Sequence, residues 1–468
     1  MTDKKTQRLV QTGLPSGFND YSPKQVLARQ KMIRSIEQVL RRFGFVPLQT
    51  SIGQRRIALT GGKPTENRLW DMRVDGSHIT TDEEQMVTAR FDLTVPLARY
   101  VAENIGKIVF PFRRYERGNV FRGETPQAGR YCEFVQYDHD VVGAPVGPAD
   151  AEIILCMAAV MRELGIDRFL IKVNNRKVLN GFAECVGFEA GSKSAAALLR
   201  SMDKFDKIGI DGVLAELRSK DAPEGGEEAF AFDDARCELV RAFMSLTEGL
   251  STNAERLEAL SAYFNGTGIG AEGVRELELV ASLVSAGSMP EDKWTVDPSV
   301  ARGLGYYTGT VFETTLLDMP SYGSVYSGGR FDDLVARFTG NLLPSVGASV
   351  GVDRLFAALE KLGRLEEPEP EVDVFILTMN ESLLPEYFAL AAELRAAGIR
   401  VEVNMNYQDS SIRAQMGFGL ARRAPVMLFY GPDDADKGMV AVKDTVARKQ
   451  TSVLRADLVK EVLTVLGR

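Results

Sequence analysis

The sequence predicts an α+β protein: an antiparallel sheet flanked by helices, with an inserted helical region and a separate α/β domain at the C-terminus. Three observations predict it. Short apolar–polar alternations between Phe112 and Val142, and again from Trp294 into the 340s, read as strands that fold back on each other. Residues from about 176 to 290 are mostly of helical spacing. Beyond the charged, proline-punctuated stretch "GRLEEPEPEVD", strand and helix patterns alternate, which is βαβ grammar.

The elements follow in order. Pro23 to Phe43 places Val26, Leu27, Met32, Ile33, Ile36, Val39 and Leu40 on one helical face, with Lys and Arg opposite. "GFVPLQTSIG" reads as a short strand pair, and "QMVTARFDLTVPLARYV" runs from a strand into a helix through Pro96. "VFRGETPQAGRY", Val120 to Tyr131, reads as a hairpin: a small, polar run with one Pro and two Gly, an arginine at each root (Arg122, Arg130), and strand alternation resuming in "CEFVQYDHD". A helix at about Asp150 to Leu164 precedes the strand "RFLIKVNN". Within the helical region, "GTGIGAEG" matches GxGxxG at Gly268, Gly270 and Gly273. The preceding "AERLEALSAYF" is helix-like where a dinucleotide fingerprint needs a strand, so the match reads as a loop. The expected domains are residues 1–362 (insertion at about 176–290), a linker at 363–371, and an α/β domain at 372–468 with strands "VDVFIL", "IRVEVN", "PVMLFYG" and "MVAVKD" and a last helix.

Composition narrows the function. The chain has 468 residues, 45% hydrophobic and 26% charged, which suits a globular protein of two or three domains. No apolar run approaches the roughly 18 residues of a membrane helix, and "MTDKKTQRLVQTG" lacks the apolar core of a signal peptide, so a cytoplasmic protein with no membrane partner is expected. Cys132, Cys156, Cys185 and Cys237 are scattered without a CxxC pair, which predicts reduced thiols. With only His78 and His139, no zinc site is expected. The net charge of -8 means that a nucleic-acid partner must be met by local patches. From Glu371 on, twelve Lys/Arg face thirteen Asp/Glu, so the tail is no basic appendage. Arg113, Arg114, Arg117, Arg122 and Arg130 face only Glu116 and Glu124, a local excess that reads as a landing site for phosphates.

Five clusters set polar groups in apolar, strand-like contexts: "TARFDLTVP" (Asp92, Thr94), "VFRGETPQAGRY" (Arg122, Glu124, Arg130), "FVQYDHD" (Gln136, Asp138, Asp140), "ARGLGYYTG" (Arg302, Tyr306, Tyr307) and "GASVGVDRL" (Arg354). Alternate residues on a strand share a face, so Gln136, Asp138 and Asp140 point one way. Several carboxylates on one buried face need cations or a ligand's donors, and Arg122, Arg302 and Arg354 are the candidates. Structural ion pairs, core tyrosines and close backbone packing at "YSGGRF" and "SVGASVG" account for any one cluster equally well.

As a set, these strings resemble class II aminoacyl-tRNA synthetases, and the histidyl-tRNA synthetases in particular. "FRGETPQAGRY" followed by "EF" and Gln136 is similar to motif 2, and "GVDRL" to motif 3. "RGLGYYTG" and "SGGRFDDL" are similar to two stretches peculiar to the histidine enzymes, "NNRKVLNGF" and "MDKFDKIG" match further segments, and the α/β tail resembles their anticodon-binding domain. The resemblance runs from about residue 13 to 468. It implies ligation of L-histidine to tRNA(His) through a histidyl-adenylate, with ATP as substrate, Mg²⁺ accompanying it, and a homodimer. It also implies roles. Arg122 and Arg302 would flank the reacting α-phosphate, Arg354 would meet the distal phosphates or adenine, Glu124 the adenine end, and Arg130 would close the far root of the ATP-covering loop. Asp92, Leu93, Thr94 and Gln136 would hold the α-ammonium end of histidine, Asp140 one imidazole nitrogen, and Tyr307 the other with Tyr306 close by. The chain departs from the pattern at Ser51, where motif 1 usually ends in proline, at Asp92, where many bacterial relatives carry Glu, and at Gly305 in place of Asp. Two other readings share the fold: a regulatory subunit of ATP phosphoribosyltransferase, which lacks the tail, and a sensor of uncharged tRNA that would not activate histidine.

Overall fold

The computed structural model describes residues 12–62, 68–74, 80–126, 129–219, 232–301, 306–365, 369–406, 408 and 411–468. The chain divides into two compact units, Met1–Leu365 and Glu366–Arg468.

The first unit opens with helix α1 (Pro23–Arg42), started by a capping box between Ser22 and Gln25 with Pro23 in its first turn. Its buried stripe is Ala28, Met32, Ile36, Val39 and Leu40, while Arg41 and Arg42 lie in the last turn, where cations suit the helix dipole. Strand β1 (Val46–Pro47), β2 (Gly53–Arg55), α2 (Arg56–Thr60), β3 (Trp70–Met72), β4 (Val87–Ala89) and α3 (Thr94–Glu103) follow. The long hairpin is β5 (Phe112–Phe121) and β6 (Glu133–Val142). Helix α4 (Pro148–Glu163) leads to β7 (Phe169–Asn175).

Eight strands of the described residues form one sheet in the order β1-β5-β6-β11-β10-β9-β7-β8, with β8 (Trp294–Val296), β9 (Thr310–Leu316), β10 (Ser324–Arg330) and β11 (Ser345–Gly351) completing it. The pairing is antiparallel except at the two ends, β1–β5 and β7–β8. The "GFVPLQTSIG" strands do not pair with each other: β1 joins the large sheet, and β2 joins a three-stranded sheet ordered β2-β4-β3. Their apolar pattern is too short to fix a partner.

Between β7 and β8 lie α5 (Arg176–Cys185), α6 (Lys193–Met202), α7 (Phe205–Arg218), α8 (Asp234–Met244), α9 (Asn253–Phe264) and α10 (Gly268–Ala286). The GxGxxG match is the first turns of α10, not a loop. Its glycines serve helix packing. A Cβ on Gly270 would stand 2.4 Å from the Phe264 ring, one on Gly273 would stand 2.7 Å from the Val178 nitrogen, and one on Gly181 of α5 would stand 2.5 Å from the Gly270 Cα. Small residues here let α5 and α10 approach backbone to backbone.

After β10 come α11 (Asp333–Thr339), β11 and α12 (Val352–Lys361). One face of the large sheet packs into the main apolar core, through Tyr137, Val141, Ile171, Val173, Phe312, Tyr326, Val346 and Val350 together with α1, α4 and α10.

The second unit runs β12 (Val374–Ile376), α13 (Leu384–Ala396), β13 (Val401–Val403), α14 (Ile412–Ala421), β14 (Val426–Phe429), α15 (Pro432–Asp436), β15 (Met439–Asp444), β16 (Lys449–Leu454) and α16 (Leu458–Val465). Its sheet is ordered β13-β12-β14-β15-β16, with parallel pairing among the first three strands. Strand β16 was absent from the sequence reading because almost every residue in it is exposed, leaving no apolar alternation to see. Buried Asp373 pairs with Arg400 at 2.8 Å and Arg468 at 3.1 Å, tying the start of this unit to its end.

The α5–α10 contact leaves no space for a methyl group. Gly181→Ala is expected to lower stability by about 1–3 kcal/mol, read as the urea midpoint at constant m-value; an unchanged midpoint would mean that the two helices separate at no cost.

Candidate active site

The site is built on a grid of three strands. Along β6, Tyr137, His139 and Val141 face the core, with His139 edge-on to Phe45 and Tyr326. Burial and the Arg114 charge push its imidazole down to about 3, so it is neutral. Gln136, Asp138 and Asp140 face the other way. Directly across on β5 stand Gly118, Glu116 and Arg114 in the same order, and on β11 stand Gly351, Ser349 and Gly347. The period of two puts all nine on one face.

Arg114 holds this grid together. Its guanidinium is fully buried, 2.9 Å from Asp140 Oδ2, 3.6 Å from Glu116 Oε2, and donates to the Leu93 carbonyl at 3.0 Å. The Asp140 contact is close but not aligned as a hydrogen bond, leaving that oxygen able to accept from a ligand. Glu116 also accepts from Arg90, the Thr50 amide and the Thr50 hydroxyl, each at 2.8 Å. Two expectations are corrected here. Among the described residues the cation beside Asp140 is Arg114, and neither Arg122 nor Arg354 is paired with Asp138 or Asp140, while Arg302 lies outside the described residues. The supposed phosphate patch is also smaller than its sequence suggests, because Arg113 is paired with Glu152 and Arg114 is inside the protein. Strand spacing sends neighbouring residues to opposite faces, which a count along the chain does not register.

Two chambers meet above the grid. The inner one, about 90 Å³, is lined by Thr94, Arg122, Gln136, Asp138, Asp140, Tyr306 and Tyr307, with Gly328, Gly347, Ser327 and Ser349 beneath. A Cβ at Gly347 would stand 1.9 Å from Asp140 Oδ1, so glycine there is what admits the carboxylate. The outer one, about 180 Å³, is lined by Arg122, Glu124, Arg130, Gln136 and Arg354 together with Tyr131 and Phe134. Arg122 and Gln136 belong to both.

Arg122 donates Nε–H to the Phe91 carbonyl at 3.0 Å and lies over the Phe134 ring, with 5.1 Å to the centroid. Glu124 sits between the two hairpin arginines, 3.7 Å from each of Arg122 and Arg130. Gln136 donates to the Ser349 hydroxyl at 2.8 Å, and Arg354 to the Tyr322 carbonyl. Asp92 lies just before α3, with Oδ1 accepting from the Val95 amide at 3.1 Å, while Leu93 is buried and contributes its carbonyl to Arg114. Thr94 opens the helix. Tyr306 and Tyr307 pack edge to face, centroids 4.8 Å apart, and burial raises both phenols, keeping them neutral. Arg302 and Gly305 lie outside the described residues, as do Gln127 and Ala128 of the hairpin loop and His78.

Asp353 is a further residue that the sequence reading passed over. It lies in the first turn of α12, accepts from Tyr21 Oη at 2.5 Å and the Val135 amide at 2.6 Å, and pairs with Arg29 of α1. It thus fixes α12, and with it Arg354, against β6. Its position beside Arg354 was the available signal, but its partners stand more than two hundred residues away.

This arrangement of motif 2 hairpin, glycine-floored chamber and motif 3 helix can be set beside known proteins. The family model described as "Histidyl-tRNA synthetase" matches residues 17–355, and that described as "Anticodon binding domain" matches residues 373–464. The chain belongs to the histidyl-tRNA synthetase family. It is 40% identical to the "Histidine--tRNA ligase" of Paracoccus denitrificans, over 99% of each chain, and 38% identical to that of Jannaschia sp., over 100% of each. The crystal structure of histidyl-tRNA synthetase from Nostoc sp. PCC 7120 superposes with a TM-score of 0.79 at 29% identity, covering 97% of this chain and 100% of that one. The fold is that of the class II members of this family, and the chain is an aminoacyl-tRNA synthetase.

In this family member the Asp92 carboxyl is raised to about 6, by burial first, against the opposing pull of the Val95 hydrogen bond and the Arg122, Arg114 and Arg337 charges. Its Oδ2 has no hydrogen-bond partner among the described residues. A carboxyl raised on folding contributes stability that is full below its unfolded value near 4 and lost as pH rises through about 6. At roughly 1.4 kcal/mol per tenfold change in proton affinity, the loss is of the order of 2–3 kcal/mol. Asp92→Asn, neutral throughout and able to keep the Val95 bond, is therefore expected to melt above the parent protein at pH 8 and to converge on it towards pH 4. An offset that is the same at both pH values would show that the carboxyl is not desolvated.

Proposed function

We propose that this chain activates L-histidine with ATP and transfers it to tRNA(His) at the two joined chambers. The observation that carries this reading is their opposite character: a small chamber floored by carboxyls and walled by tyrosines opens, past Arg122 and Gln136, into one lined by arginines. The first suits a small cation with a polar ring, the second a polyphosphate.

In the first step an oxygen of the histidine carboxylate attacks the α-phosphorus of ATP, and the bond to the pyrophosphate breaks. Two anions approach, so fixed donors must offset their repulsion and stabilise the equatorial oxygens. Arg122, oriented by the Phe91 carbonyl, takes one side of that phosphate and Arg302 the other, with Arg354 and Arg130 on the remaining phosphates or the adenine and Glu124 at the adenine. Mg²⁺ enters with ATP as part of the substrate. The α-ammonium goes to Asp92, with Thr94, Gln136 and the Leu93 turn around it, which gives the unpartnered Asp92 oxygen its donor. Asp140 accepts from the imidazole, and Tyr306 and Tyr307 wall it. An amino acid without ring nitrogens would leave buried polar groups unpaired, costing a factor of roughly 10⁴ or more. In the second step the terminal ribose 3'-hydroxyl attacks the adenylate carbonyl and AMP leaves; positioning matters more here than a strong base. The C-terminal unit would read the anticodon, and the chain would act as a homodimer.

The regulatory-subunit and sensor readings predict ligand binding without adenylate chemistry. Histidine-dependent exchange of pyrophosphate into ATP, without tRNA, separates them. Exchange is expected in the intact protein and should fall at least about 100-fold in Arg122→Ala and in Arg302→Ala. Histidine binding without exchange would overturn the ligase reading.

A further inference from the structure

We propose that Phe18 and Trp70 are positioning residues for ATP. Their ring contact closes a bracket around the base of the motif 2 hairpin and fixes the spacing of Arg122 and Arg130. This rests on the reading of the outer chamber as the ATP site. The β5–β6 ladder runs to Phe121 and Glu133, followed by a bond from the Arg122 amide to the Cys132 carbonyl at 2.8 Å. Past that point each arm is held by a different segment of the chain. On the outgoing arm the Gly123 amide donates to the Arg68 carbonyl at 2.8 Å, and on the returning arm the Cys132 amide donates to the Gly17 carbonyl at 2.7 Å. Both seats are close fits. A Cβ at Gly123 would stand 2.6 Å from Arg68 Cβ. One at Gly17, whose φ is +88°, would overlap Cys132 Sγ and stand 3.1 Å from Cγ of Pro126 in the loop itself.

The two outer segments meet each other. Phe18, next to Gly17, lies edge-on to Trp70, two residues from Arg68, with ring centroids 5.6 Å apart and planes at 86°. Such edge-to-face pairs are directional. Core filling does not account for this one, because neither ring belongs to the apolar cores of the first unit and Trp70 is 40% exposed. The Gly17 segment is also fixed at its far end, where the Tyr21 hydroxyl donates to Asp353 beside Arg354. Residues 16–21 thus tie the returning arm, which carries Arg130, to the helix that carries Arg354. The Phe18–Trp70 contact ties both to the arm that begins at Arg122.

Arg122, Arg130 and Arg354 are the arginines that line the outer chamber, so one strap sets the positions of all three. Small misplacements of such groups are costly, because fixed donors help only where the charge is. The carboxyls of the inner chamber stand on β6 and before α3, where Arg114 and the sheet hold them without the strap. Loosening the bracket should therefore weaken ATP binding and spare histidine.

The test is pyrophosphate exchange by the full chain, with ATP and histidine varied in turn, for Phe18→Ala, Trp70→Ala, the double variant and Trp70→Phe. Each single alanine variant should raise the ATP KM roughly tenfold and leave the histidine KM unchanged. The double variant should be no worse than either single one, since the same contact is lost in all three. Trp70→Phe keeps a ring against Phe18 and should return the ATP KM to within about twofold of the intact protein's. An unchanged ATP KM, equal rises for ATP and histidine, or effects that multiply in the double variant would overturn the bracket and leave the ligase reading standing; no exchange in the intact protein would overturn both. Should the alanine variants not fold, tryptophan emission of the intact protein decides. The other tryptophan, Trp294, is buried in β8 at the far edge of the sheet. Emission should shift when ATP binds, and the shift should vanish in Trp70→Phe; ATP binding that leaves the emission unaltered overturns the proposal.

Discussion

An arginine with no access to water lies at the centre of the larger unit, and the geometry around it follows from the need to compensate its charge. Removing a guanidinium from water costs several kcal/mol, so the Arg114 charge must be offset from within the protein. It is met by Asp140 from the next strand, Glu116 from its own strand, and the Leu93 carbonyl from the turn before α3. Those contacts join β5, which Arg122 follows, β6, which carries Gln136, and the start of α3, which Asp92 precedes. The requirement spreads outward. Glu116 needs Arg90 and Thr50, and Arg90 needs Gly118, where a Cβ would stand 1.9 Å from its guanidinium. Asp140 needs Gly347 for the same reason. The glycines are the space in which the ion network fits.

The same network divides the sheet between two tasks. Tyr137, His139 and Val141 on one face of β6 join the main core, while Gln136, Asp138 and Asp140 on the other face line a polar chamber. A site built on a sheet clamped by long-range partners is more rigid than one built on loops. Asp353 extends the clamp, linking Tyr21, α1, β6 and α12 so that Arg354 is presented from a fixed helix.

Much of this was legible in the sequence. The helical stripe of α1, the strand alternation of β5 and β6, and the change to βαβ grammar after residue 371 all follow from short-range periodicity, and the family was readable from its strings. What failed depended on three-dimensional pairing. "GTGIGAEG" reads as a loop because the helix-like stretch before it denies it the strand a dinucleotide fingerprint needs, and only the fit of its glycines against α5 and Phe264 shows why a helix keeps them. Strand β16 is invisible because Val453 alone in it is turned towards the core, which leaves no alternation. The five-arginine patch looked like a phosphate surface because neither the turning of strand faces nor Glu152, nearly forty residues away from Arg113, is visible in a local count. Arg114 was present in that count, but its partner Asp140 arrives only through the register of the hairpin.

The unbalanced groups at the site bear on why the protein tolerates them. Asp92 and Asp140 are buried carboxyls with an oxygen that no hydrogen bond among the described residues satisfies, and each such group costs stability in the ligand-free state. In a core that exists only to be stable, selection would replace them with amides or apolar residues at little loss. Under the proposed assignment the missing partners are the α-ammonium and a ring nitrogen of histidine, so the cost is recovered when that amino acid is bound and not when a close analogue is. The destabilisation of the empty site and the selectivity of the filled one are then a single property. An unpaired buried group rejects what cannot pair it more strongly than an apolar pocket rejects what merely fits it poorly.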